Sequence, residues 1–208
     1  MTMRAFWLVM ATVGMTMVAL PARGDELAPA DAAQVDQALT ERVDRVVAEL
    51  WAVNDEYFHC GRYEDSIRVS ESIIVLDPGF IEAYANAAWL CWSMGQDDRA
   101  MSFYCRCIAA NPTHWESYFE LGMYYSQHRR DAEAATQLAE AVRYGAPVIV
   151  QRAYGHSLRR AGRLREALAV FQKVLADNPG DAVALRQASS LTEELSQPCP
   201  TTKKSPPT

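Results

Sequence analysis

Between residues 31 and 60 the apolar positions Val35, Leu39, Val43, Val46, Val47, Leu50, Val53 and Tyr57 recur at three- and four-residue steps. That spacing follows the turn of an α-helix and draws one apolar stripe along it. No Gly or Pro falls between Asp31 and Cys60. Asp31, shortly after Pro29, suits an N-cap, and Gly61 ends the run. Residues 25–46 read as a lead-in and helix extension. Further along, helical stripes return in shorter pairs, and the punctuation between them is regular.

A Gly separates the two members of a pair at Gly61, Gly95 and Gly162, and a Pro closes the second member at Pro78, Pro112 and Pro179. Gly61 to Gly95 and Pro78 to Pro112 are each 34 residues, and Gly95 to Gly162 is 67, two periods less one residue. The intervening copy has Arg129 at the Gly position and Ala146 at the Pro position. A fixed period of this size marks a stack of like units. The clearest copy runs Tyr118, Leu121, Gly122, Tyr125, then Ala134, Leu138, Ala141. The next runs Gln151, Tyr154, Gly155, Leu158, then Ala167, Phe171, Val174. The one before runs Tyr84, Ala87, Ala88, Cys91, then Ala100, Tyr104, Cys107. The first departs most, with Leu50, Val53, Asn54, Tyr57, then Ser66, Ser70, Ile73.

This pattern resembles the tetratricopeptide repeat. The resemblance implies an all-α fold, a right-handed α-solenoid of four helix-turn-helix repeats (47–80, 81–114, 115–147 and 148–181) with a C-terminal capping helix. The residue types have a physical sense. Ala88, Gly122 and Gly155 let one helix approach its partner closely, and Ala100, Ala134 and Ala167 face them. Tyr104, Leu138 and Phe171 fill the space beside that contact. Each unit leaves an apolar face open, so units must stack. Residues 182–195 carry Val183, Leu185, Ala188, Leu191 and Leu195 at helical spacing behind Asp181, a good N-cap, and form the expected cap. The tail from 196 to 208 is rich in Pro, Thr and Lys and is expected to be disordered.

The first 24 residues stand apart from the repeats. Arg4 precedes an uncharged apolar run from Ala5 to Leu20, then Pro21, Ala22, Arg23 and Gly24. This order reads as a signal peptide cut after Gly24. An uncleaved anchor is the alternative, but the run is shorter than the roughly 20 residues a spanning helix needs. The rest of the chain is then expected outside the cytoplasm, periplasmic or secreted, in a bacterium. Disulfides are permitted there. Cys60, Cys91, Cys105, Cys107 and Cys199 match no zinc spacing, and Cys105 and Cys107 point to different faces of a helix. Cys91 and Cys107 read as core residues; a Cys60–Cys91 bond is open.

No catalytic constellation, phosphate cradle or metal-ligand set is legible around His59, His114, His128 or His156, so neither an enzyme nor a cofactor is expected. The net charge of −6 gives no reason to expect nucleic acid. The resemblance implies that the first helix of each repeat lines a concave groove. Residues of those helices outside the repeat pattern are Trp51, Phe58, Trp89, Trp92, Phe119 and Met123, then Arg152, His156, Arg159 and Arg160. His156 taken alone reads as a surface histidine. Clustered aromatics with arginines beside them have the composition of an interface. The expected function is protein–protein interaction: a polypeptide with apolar anchors and an acidic or carboxylate end bound in this groove. Two readings stand beside the open groove: a phase error of one residue would make the aromatics core, and the N-terminal helix or tail could cover them. An accessory structural subunit of an envelope assembly, held by its convex face or ends, is the alternative function. From Arg143 to Lys173 seven cationic residues face only Glu166, a polarity that also allows self-association.

Overall fold

The computed structural model describes residues 29–197. The expected leader and its cleavage site, Cys199 and the tail from 198 lie outside the described residues. The chain divides into two compact units, Met1–Thr40 and Glu41–Thr208. The described part of the first is the opening of a helix, in which Thr40 Oγ1 donates to the Asp36 carbonyl at 2.9 Å and Val35 and Leu39 are exposed. That helix, α1 (Pro29–His59), starts ahead of Asp31, the residue expected to cap it.

The second unit is built of helices packed each on the next in sequence. They are α2 (Tyr63–Leu76), α3 (Ile81–Ser93), α4 (Asp97–Ala110), α5 (Trp115–Gln127), α6 (Asp131–Arg143), α7 (Val148–Arg160), α8 (Leu164–Asp177) and α9 (Ala182–Ser196). No strand occurs among the described residues. This is the expected all-α solenoid of helix pairs, with α9 as its last helix. Asp181 Oδ1 accepts from the Ala184 amide at 2.8 Å, so the expected N-cap forms.

The turn inside each pair explains the Gly period. Gly61, Gly95 and Gly162 have φ of 72°, 74° and 76°. Arg129 takes the same left-handed conformation at φ 60°, where a Cβ is normally unwelcome. All four turns close with the same paired bonds. At the first, the Gly61 amide donates to Phe58 O at 3.0 Å and the Arg62 amide to Tyr57 O at 2.8 Å; at the third, Arg129 donates to Ser126 O at 3.2 Å and Arg130 to Tyr125 O at 2.9 Å. These are Schellman closures, which satisfy carbonyls that a helix end leaves open. The missing residue of the third copy is also located. Helix α6 has 13 residues where α2, α4 and α8 have 14, and it ends on a left-handed Gly145 instead of before a Pro.

Within each later pair the small-on-large contact forms as the sequence suggests. Ala88, Ala100, Ala134 and Ala167 are fully buried, as are Leu138 and Phe171. A Cβ added to Gly122 would lie 2.8 Å from Leu138 Cγ, and one on Gly155 2.7 Å from Phe171 Cζ. Only glycine lets these helices approach so closely. The first pair solves the same problem differently. Asn54 replaces the small residue, and its Nδ2 donates to the Ser66 carbonyl at 2.8 Å and to Ser70 Oγ at 2.7 Å. Ser66 Oγ donates to Asn54 Oδ1 at 3.1 Å, and Asn86 Nδ2 from α3 donates to the same oxygen at 2.9 Å. Asn54, Ser66 and Ser70 are buried, so this is a polar core with its bonds closed.

Cys91 and Cys107 are core residues as expected, and burial pushes the Cys107 thiol up to about 11. Cys60 and Cys105 are exposed, and all four described cysteines are free.

Candidate functional site

The Gly markers set the first helices α1, α3, α5 and α7 in register. One line runs Trp51, Ala85, Phe119, Arg152; the next Ala52, Asn86, Glu120, Ala153; the next Asp55, Trp89, Met123, His156; and the last Phe58, Trp92, Ser126, Arg159. Two cavities open on these lines. One, of about 380 Å³, is lined by Phe119 and Met123 of α5, Ile149, Arg152, Ala153 and His156 of α7, and Val183 of α9. The other, of about 200 Å³, is lined by Trp51, Asn54, Asp55, Phe58 and Asn86.

None of the six apolar candidates is fully buried. Trp89 is 42% exposed, and Trp51, Phe58, Trp92, Phe119 and Met123 are half-buried. Their inner edges nonetheless pack on the chain. Trp51 meets Phe80 edge-on with centroids 5.3 Å apart, Phe58 lies 6.0 Å from Trp89, and Trp92 lies 5.5 Å from the His128 ring. They are anchored rings with one side turned outward, which costs a partner little side-chain entropy on contact.

The arginines occupy different surroundings from those an acidic partner would need. Arg152 Nη1 pairs with Asp181 Oδ2 at 3.4 Å. Arg159 reaches α9, bonding Gln187 Oε1 at 2.8 Å, Ser190 Oγ at 3.0 Å and Glu194 Oε2 at 3.0 Å. Arg160 pairs with Asp131 Oδ1 at 2.6 Å and donates to Ser126 Oγ at 2.6 Å. Each joins α7 to a neighbouring element, and an acidic ligand would have to displace an acid already in place. His156 rests 5.3 Å from the buried Phe171 ring, edge to face. Burial, with Arg160, Arg159 and Arg152 around it, holds the imidazole below its ordinary value, so it is the neutral ring that lines the cavity.

Sequence reasoning missed one charged residue on this face. Glu120, half-buried on α5 beside Phe119, has its carboxyl raised by burial and then by the Glu82 carboxylate. No cation pairs with it among the described residues. A desolvated acid with an acidic neighbour is a candidate site for a cationic group. The signal was available in the register: Glu120 stands where the other copies carry Ala52, Asn86 and Ala153. Among the described residues no three His, Cys, Asp or Glu side chains are placed to hold a metal ion.

Helix pairs in this register, with a small residue (Ala88, Gly122 or Gly155) at the tight contact inside each of the later pairs, define a repeat class. A tetratricopeptide-repeat profile matches residues 81–114, and a second profile of that family matches residues 148–191. Those two stretches are tetratricopeptide repeats. Among solved structures the chain is similar to MamA, at 17% identity over 69% of this chain and 84% of that one, with a TM-score of 0.56. It is similar to PilF of Pseudomonas aeruginosa, at 17% identity over 74% of this chain and 70% of that one, TM-score 0.55. It is also similar to YrrB, a tetratricopeptide-repeat protein with an unusual peptide-binding site, at 18% identity over 76% of this chain and 84% of that one, TM-score 0.55. At such identities the likeness is one of fold. No curated protein sequence matches the chain.

Proposed function

We propose that this protein is a non-enzymatic binding module of the bacterial envelope. It would hold a polypeptide along α1, α3, α5 and α7, with a large apolar side chain seated in the cavity between α5, α7 and α9. The repeats support a protein–protein interaction role. The observation that carries the finer reading is the cavity of about 380 Å³, walled by Phe119, Met123, Ile149 and Val183 and by a neutral His156. Glu120, which follows Phe119 in α5 but does not line the cavity, favours a basic residue elsewhere in the peptide. Arg152, Arg159 and Arg160 serve in this reading chiefly to brace α7.

Peptide-library panning on the immobilised protein tests it. Recovered peptides are expected to pair a bulky apolar residue with Lys or Arg. Burying one such side chain contributes about 1.5–3 kcal/mol. Trp89→Ala and Met123→Glu should therefore each weaken the best peptide about tenfold or more, with helicity unchanged. Affinity should also fall as the solution is acidified, between the ordinary Glu and His values of about 4.3 and 6.5. An occupied cavity desolvates His156 further and so opposes its protonation, and a basic peptide needs Glu120 ionised; both effects act in the same direction. Peptides that bind both variants as tightly as the parent would place the contact elsewhere.

Export is the second part of the proposal and has its own test. N-terminal sequencing of protein recovered from the envelope fraction should begin at or within a few residues of Asp25. An intact Met1 in the membrane pellet refutes cleavage.

A further inference from the structure

Val46 and Val53 of α1 are 43% and 37% exposed, and the repeat register explains why. Val53 holds the position that Ala87, Leu121 and Tyr154 hold in the later copies. Ala87 and Leu121 are buried, and Tyr154 packs on a core cluster. Each of those later first helices has the preceding second helix against it: α2 on α3, α4 on α5, α6 on α7. Among the described residues no second helix packs on this facet of α1, and Val46 and Val53 are exposed on it. Open apolar facets at the end of a solenoid need a polar cap or a partner. Here the facet keeps its valines.

The choice of occupant rests on the chemistry around the facet. The opposite end of the array, α9, exposes Leu185 and Leu195, but sets them among exposed Arg186, Ser189, Thr192 and Glu193, so a head-to-tail stack would bring mostly polar groups against the valines. Residues 198–208 contain no Val, Leu, Ile, Met or aromatic residue with which to cover them. The facet's own edge is self-complementary. Arg42 lies four residues before Val46 and Glu49 three after it, on the same side of the helix. Neither takes part in an ion pair among the described residues.

We propose that this facet is a self-association surface, on which α1 of a second copy lies antiparallel with the two-fold axis near Val46. Val46 then meets Val46 of the second copy, Val53 packs on the second helix, and Arg42 of each copy faces Glu49 of the other. A parallel arrangement sets Arg42 on Arg42 and Glu49 on Glu49, so charge selects the antiparallel one. The contact is isologous and closes at two copies. A single helix-on-helix seam is small beside the roughly 1,200–2,000 Å² of a standard interface, so the dimer is expected to be weak and concentration-dependent. The proposal is independent of the groove on the first helices.

Sedimentation equilibrium of the purified protein over a concentration series is the test. A monomer–dimer equilibrium is expected. Val46→Asp with Val53→Asp, both at exposed positions, should weaken it at least tenfold while circular dichroism shows the helices retained. Arg42→Glu alone and Glu49→Arg alone should each weaken it, and the double reversal Arg42→Glu with Glu49→Arg should restore it. A monomer at every concentration, dimers indifferent to the valine changes, or failure of the double reversal to rescue overturns the proposal. Higher assemblies that grow without closing would point to head-to-tail stacking and overturn it as well.

Discussion

Replacing Phe171 by Ala is expected to lower the unfolding free energy by about 3–5 kcal/mol. The ring is fully buried between α7 and α8, it fills the space opposite Gly155, and His156 leans on its edge. A domain of ordinary stability has only about 5–15 kcal/mol in hand. In a stacked array each unit leans on its neighbours, so the loss should first appear as early melting of α7, α8 and α9 and a broadened urea transition. Gly155→Ala is the companion variant. Ala is favoured over Gly in a helix interior by about 1 kcal/mol. The new Cβ, however, lies 2.7 Å from Phe171 Cζ in a ring that has nowhere to go. Overpacking of this kind costs about 1–3 kcal/mol, so the variant is expected to be less stable than the parent despite its propensity. In a Phe171→Leu background the clash is relieved and the same change should become neutral or favourable. Urea denaturation of the four proteins gives the coupling directly. Additive effects would mean that this glycine is not there for the ring.

How far the sequence discloses this molecule depends on how local each determinant is. The 34-residue spacing of Gly and Pro reflects turn geometry that one residue can dictate, so the pairs and their turns are legible, including the turn at Arg129 with φ 60°. The helix of 13 residues that absorbs the missing position is not legible, because Gly145 competes with Ala146 for the closing role. The α1 stripe shows the limit of periodicity. Val43, Val47 and Leu50 pack on the core while Val46 and Val53 stay exposed, although all share the same three- and four-residue steps. Spacing gives the width of an apolar face but not how many partners divide it. Charge is the least legible. Arg152, Arg159 and Arg160 find their acids 29, 35 and 29 residues away on other helices, so a cationic run in sequence becomes a set of braces in space. Glu120 escaped notice for the converse reason: its perturbation comes from burial and from Glu82 on another helix. The aromatic positions follow from register alone, and Trp51, Phe58, Trp89, Trp92 and Phe119 are all part-exposed.

The second large effect is expected at Asn54. Asn54→Ala removes the donor to the Ser66 carbonyl and to Ser70 Oγ, and the acceptor used by Ser66 Oγ and Asn86 Nδ2. Asn54 is 2% exposed and both serines are 0% exposed, so water cannot readily take its place. Each stranded buried group costs about 1–3 kcal/mol. The single change should therefore lose about 2–4 kcal/mol, allowing for relaxation of the serine hydroxyls. Removing the whole polar set at once is a different experiment. Asn54→Gly, Ser66→Ala and Ser70→Leu reproduce the residues of the third copy, Gly122, Ala134 and Leu138, at the same register. With no partner left unpaired except Asn86, which is half-buried at a cavity, most of the loss should be recovered. Thermal and urea unfolding of the single and triple variants decides between two accounts of the network. If the single change is neutral, the bonds do not stabilise the first pair. If the triple variant matches the parent, the array does not need polar groups there for its stability. Asn54 and Asn86 also line the cavity that Trp51 and Phe58 share, so the network would then be retained for the face it presents. Peptides selected on the parent that depend on Trp51 should in that case bind the triple variant more weakly, although it folds as well.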